Sequence, residues 1–94
     1  MELDLKFFAT FREAVGSKTI SLEFDDGIEV EDVLQSLESD YAELKGNLME
    51  DGDLAPQISV LKNGNEVLHL DGIATPLEGG DTLAIFPPVA GGHV

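Results

Sequence analysis

The chain has 94 residues, with nineteen acidic against five basic side chains and a formal charge of −14. That length specifies one domain with a modest core, and a hydrophobic fraction of 43% is too high for a disordered chain. The charge excludes nucleic acid and anionic membranes as partners, because both need cations opposite them, and no apolar run approaches the length of a membrane span.

Leu3, Leu5 and Phe7 alternate with Asp4 and Lys6, which predicts a strand, with Phe8 on the opposite face. Thr10-Phe11-Arg12-Glu13 has the form of a capping box, and Gly16 stands where a C-cap belongs, so a short helix is expected from about Thr10 to Val15. Ile20, Leu22 and Phe24 alternate again as a second strand, closed by the turn Asp25-Asp26-Gly27. Val30, Val33, Leu34, Leu37, Tyr41 and Leu44 recur at helical spacing and predict the main helix over about 30–44, ended by Gly46. Glu29, Glu31 and Asp32 lie in its first turn, where negative charge suits the helix dipole. Residues 46–56 read as a loop with Leu48, Met49 and Leu54 turned inward.

Ile58 to Lys62 is a strand leading into Asn63-Gly64, a strong hairpin signal, with Val67 to Leu70 expected to return as the second arm. Thr82 to Phe86 is the last strand, with Leu83 and Ile85 on one face and Ala84 and Phe86 on the other. The order specifies an α+β roll: a mixed sheet of four to five strands with one main helix packed on one face. The domain spans residues 1–88, followed by a tail over 89–94 carrying a Gly-Gly pair.

Enzyme chemistry finds little support. There is no cysteine, which removes thiolate nucleophiles and cysteine-bound metals. Asp25-Asp26-Gly27 and Asp51-Gly52-Asp53 lack the spaced ligands of a calcium loop and read as turns. Of the two histidines, His69 lies in a predicted strand without a nucleophile to serve. Gly91-Gly92 is no phosphate loop, because no helix follows to supply its dipole. The acidity reads either as a surface for a basic partner or as a solvated face suited to a salt-loaded cytoplasm. Met1-Glu2-Leu3-Asp4 lacks the blocks of a secretory signal, so the expected location is the cytoplasm.

The most specific segment is Phe86-Pro87-Pro88-Val89-Ala90-Gly91-Gly92-His93-Val94. Two prolines end the pairing of the strand, and two glycines make a thin end that fits a narrow slot. Phe8 and Phe86 would form an apolar patch at the root of this tail if the first and last strands are neighbours, and Leu70 is expected to join it. Phe7-Phe8-Ala9 and Phe11-Arg12-Glu13-Ala14-Val15-Gly16 resemble the opening of the molybdopterin synthase small subunit. Pro76-Leu77-Glu78-Gly79-Gly80-Asp81, and then Phe86 to Gly92, resemble its ending. The chain therefore resembles the ubiquitin-like β-grasp sulfur carriers and protein modifiers, and the acidic bias brings it nearest to the haloarchaeal modifiers of that group.

The resemblance implies that the Gly92 carboxylate is activated as an acyl adenylate by an ATP-dependent ubiquitin-activating-type enzyme, with no cofactor bound to the chain itself. The product would be a thiocarboxylate, serving tRNA thiolation or molybdopterin synthesis with a synthase large subunit, or an isopeptide bond to target-protein lysines. Gly91 and Gly92 are then the conjugation residues. Phe8, Phe86, Leu70, Pro87, Pro88 and Val89 would form the contact with the activating enzyme. Because residues follow Gly92, the resemblance also implies cleavage of the Gly92–His93 bond, for which a metal-dependent isopeptidase is the natural candidate. Lys62, expected to be exposed beside the predicted Asn63-Gly64 turn, is the candidate modifier acceptor within the chain. The rival reading is an acidic β-grasp interaction module that is never conjugated.

Overall fold

The computed structural model describes residues 1–88. Strand β1, Glu2–Phe7, pairs antiparallel with β2, Thr19–Glu23, with Leu3 opposite Leu22 and Leu5 opposite Ile20. Between them runs α1, Ala9–Val15, and after them α2, Val30–Asp40. A small hairpin of β3, Met49–Glu50, and β4, Asp53–Leu54, precedes β5, Ser59–Lys62, β6, Asn65–Glu66, and β7, Thr82–Phe86. The main sheet has the order β2-β1-β7-β5-β6, with β1 and β7 parallel and its other pairs antiparallel. Leu3, Leu5, Phe7, Val60, Leu83 and Ile85 are fully buried in one core with Val30, Val33, Leu34 and Leu37 of α2. The expected α+β roll, with its main helix on one sheet face, is thus the observed fold. Among the described residues no helix is long and apolar enough to cross a membrane.

Local chemistry accounts for most boundaries, and four depart from expectation. Helix α1 begins at Ala9, so Thr10 lies inside it and the capping box does not form; the Phe8 carbonyl instead accepts the N–H groups of Phe11 and Arg12 at 3.1 and 3.4 Å. Gly16 closes α1 as expected, with φ +87° and its N–H on the Arg12 carbonyl at 2.8 Å. Helix α2 ends at Asp40, short of Leu44, because Tyr41 is extended; a 3₁₀ turn, Ala42–Leu44, follows. A three-residue spacing suits that turn as well as an α-helix, so Tyr41 and Leu44 still face the core. The first turn of α2 uses its acids for more than the dipole, since the Glu29 N–H donates to Asp32 Oδ2 at 2.8 Å.

The segment expected as plain loop contains the β3–β4 hairpin, tied to α2 by Glu38 Oε2, which accepts the N–H groups of Leu48 and Met49 at 2.9 and 2.8 Å. Leu48 is buried and Met49 and Leu54 pack against the core, as their apolarity predicts. Asn63 and Gly64 form the expected turn with φ of +49° and +87°, the primed conformation that matches strand twist. The return arm is shorter than its composition suggests. Only Asn65–Glu66 pair with β5, and Val67–His69 is a 3₁₀ turn, because Val67 leaves the sheet edge to enter the core.

The turn is anchored to the chain before β7. Asn63 Nδ2 donates to Asp81 Oδ1 at 2.9 Å, Asn63 Oδ1 accepts the Thr82 N–H at 2.9 Å, and Asp81 Oδ2 accepts the Glu78 N–H at 2.8 Å. Burial alone would raise the Asp81 carboxyl, but the bonds from Asn63 and Glu78 and the Lys62 charge outweigh it, and its pKa is lowered from 3.8. A carboxyl depressed on folding adds stability above its unfolded pKa and loses it as pH falls through the folded one. Asp81→Asn is therefore expected to lower stability at pH 7 by about 1–3 kcal/mol. The gap from wild type should shrink as pH drops below 3.8, as measured by urea denaturation across pH.

Candidate functional site

Parallel pairing of β1 and β7 places Phe7 beside Ile85, both facing the core. Side chains alternate along a strand, so the next residues, Phe8 and Phe86, both emerge on the outer face. Their rings stack with centroids 4.1 Å apart and planes 9° from parallel, and both are half-buried. The Arg12 guanidinium carbon lies 5.8 Å from the Phe8 ring centroid, held there as Nε donates to the Phe7 carbonyl at 3.3 Å. Along the same face Lys6 pairs with Ala84 and Ala84 with half-buried Leu61, which continues the apolar strip towards β5. Leu61 was not singled out from sequence, although its alternation with buried Val60 and Ile58 carries that information.

Leu70 is 45% exposed but follows a 3₁₀ turn instead of returning in a strand, so it holds no register position beside the aromatic pair. Pro87 is half-buried and Pro88 exposed, and both line an open groove of about 550 Å³ with Phe11, Ala14, Asn47 and Pro56. Lys62 is not the exposed hairpin lysine expected: its ammonium donates to the Pro76 carbonyl at 2.9 Å and pairs with Asp81 at 3.7 Å, leaving its side chain 23% exposed. His69 sits in the 3₁₀ turn, exposed, instead of in a strand. Among the described residues no group of three or more His, Asp or Glu side chains is placed to hold a metal ion. Val89, Gly91, Gly92 and the Gly92–His93 bond lie outside the described residues.

A mixed sheet with parallel central strands, one main helix on its inner face and an aromatic pair on its outer face defines a ubiquitin-like β-grasp protein. The ThiS family model matches residues 5–92, and the chain belongs to that family. It is 60% identical over 92 residues to small archaeal modifier protein 3 of Haloferax volcanii, covering 98% of this chain and 100% of the relative. A Haloferax volcanii protein solved in solution, 60% identical, superposes with a TM-score of 0.91 over 98% of this chain and 87% of the other. An Archaeoglobus fulgidus relative, a sulfur carrier by name only, is 42% identical over 50 residues, covering 53% of this chain and 57% of its own.

Proposed function

We propose that this chain is a cytoplasmic ubiquitin-like modifier and sulfur carrier whose reacting group is the Gly92 carboxylate. The observation that carries the reading is the reach of the family match, which ends at Gly92 and leaves His93 and Val94 beyond it. Strand β7 ends at Phe86, and Pro87 cannot donate to a further strand partner, so the chain leaves the sheet there and Pro87-Pro88 lead it towards the tail.

In this reading an activating enzyme docks on Phe8 and Phe86, with Pro87, Pro88 and Val89 guiding the tail to its ATP. An oxygen of the Gly92 carboxylate attacks the α-phosphorus and expels pyrophosphate, giving an acyl adenylate. Sulfide from a donor, or the amine of a target-protein lysine, then attacks the carbonyl and releases AMP. The first product is a thiocarboxylate able to serve tRNA thiolation or a molybdopterin synthase large subunit, and the second is an isopeptide bond. Since residues follow Gly92, the Gly92–His93 bond must first be hydrolysed, a step suited to a metal-dependent isopeptidase. As an acceptor, Lys62 is hindered by its pairing with Asp81, and the exposed Lys45 is the better placed.

Intact-mass analysis of protein expressed in a haloarchaeal host tests the reading. The free and conjugated pools are expected to end at Gly92. Retention of His93 and Val94 throughout both pools would overturn it.

A further inference from the structure

Three of the five basic residues, Lys6, Arg12 and Lys18, surround one pocket of about 250 Å³ completed by Phe7, Phe8 and Thr19. No acidic side chain lines it, although the chain carries nineteen. The fold gathers these residues from three elements. Lys6 and Thr19 are partners across β1 and β2, Lys18 enters β2 with its carbonyl accepting the Phe7 N–H at 2.8 Å, and Arg12 reaches over from α1 to the Phe8 ring.

Among the described residues none of these three cations has a carboxylate within ion-pair distance, whereas Lys62 is paired with Asp81. The nearest register acid on that face, Asp4, is two residues along β1, and its carboxylate accepts the Ser21 hydroxyl at 2.6 Å. Like charges repel when grouped, and a chain with surplus acids has every means of neutralising them locally. An unneutralised cationic pocket against an aromatic wall is suited to an external anion, because the guanidinium and ammonium groups supply charged donors and the ring excludes water.

We propose that this pocket receives an Asp or Glu side chain of the protein that docks on the Phe8–Phe86 pair. A protein carboxylate is favoured over a free anion because the pocket shares its Phe8 wall with the apolar contact, the arrangement of a charged rim beside an interface core. A second copy of this chain is disfavoured by repulsion between two chains of charge −14. The inference rests on the docking reading above and adds a charge lock that sets the partner's orientation.

The test measures the dissociation constant for the host's recombinant ubiquitin-activating-type enzyme across a KCl series. Arg12→Gln, and separately the Lys6→Gln/Lys18→Gln pair, should each weaken binding about tenfold and flatten its salt dependence. Lys45→Gln removes one charge, as Arg12→Gln does, at an exposed position among Gln35, Glu38 and Asp40, and should change binding less than about twofold. The lysine pair is exposed, so it keeps the test decisive if Arg12→Gln disturbs α1. Normal binding by both pocket variants, or equal weakening by Lys45→Gln, overturns the carboxylate lock while leaving the docking reading intact. Competition by millimolar inorganic phosphate without loss of enzyme affinity in the variants, or dimerisation of the free chain that the variants abolish, reassigns the pocket and overturns it too. Failure of wild type cut after Gly92 to bind at all, with Phe8→Ala no different, overturns the docking reading and this inference with it.

Discussion

Phe8→Ala is expected to reduce ATP-dependent activation of the chain, cut after Gly92, by roughly thirtyfold or more in kcat/KM, because it removes an aromatic anchor of the kind that dominates interfaces. The same change should lower stability by only about 1–2 kcal/mol, the worth of one stacked pair plus partial burial. The separation of effects follows from geometry. Phe8 is half-buried, lies on the face away from α2, and makes its aromatic contact with Phe86 at 4.1 Å. Phe86→Ala should behave alike. The double variant should lose less than the sum, because the two rings touch and each alanine already disrupts the surface the other presents. Pyrophosphate-exchange kinetics and urea melts on the same samples check both halves. Full activation by folded Phe8→Ala and Phe86→Ala would remove the outer face from the docking reading.

The face of each aromatic residue was legible from alternation alone. Leu3, Leu5 and Phe7 fix the phase of β1 and Leu83 and Ile85 that of β7, which sends Phe8 and Phe86 outward. Their stacking was not legible, because it depends on β1 and β7 being neighbours and on a register that pairs Phe7 with Ile85. Leu70 was expected in a strand and instead follows a 3₁₀ turn, for a related reason. Its apolar neighbours Val67 and Leu68 suit a strand or a 3₁₀ turn equally, and the core's demand for Val67 decided the matter. Tyr41 and Leu44 show the same ambiguity at the end of α2, where a spacing of three suits either kind of helix. Lys62 read as exposed because it precedes a turn, yet the partner that holds it, Asp81, lies nineteen positions away. The cationic pocket is harder still to see, since Lys6, Arg12 and Lys18 are separated by six residues each and meet only because β1, α1 and β2 fold back on one another.

Phe7→Ala, one residue before Phe8, should have the opposite consequence: a large loss of stability with no specific effect on docking. Phe7 is fully buried, and its ring shares the core with Leu5, Leu83, Ile85 and the apolar face of α2. Truncating a buried phenylalanine costs about 3–5 kcal/mol through lost transfer energy and the cavity left behind. A domain of this size commands only about 5–15 kcal/mol in total, so the variant should stand near the edge of folding. At roughly 4–8 °C per kcal/mol, its melting temperature should fall by about 15 °C or more. The site would suffer indirectly, because Phe7 also holds the backbone around it: its N–H donates to the Lys18 carbonyl and its own carbonyl accepts Arg12 Nε. Phe7→Leu isolates the packing role, since both variants keep the main-chain donor and acceptor but only leucine restores most of the apolar volume. It should recover most of the stability, with activation recovering in proportion to the folded fraction. A Phe7→Leu protein that is stably folded yet fails to be activated would show that the inner face of β1 shapes the docking surface directly, and would break the division of labour between these adjacent rings.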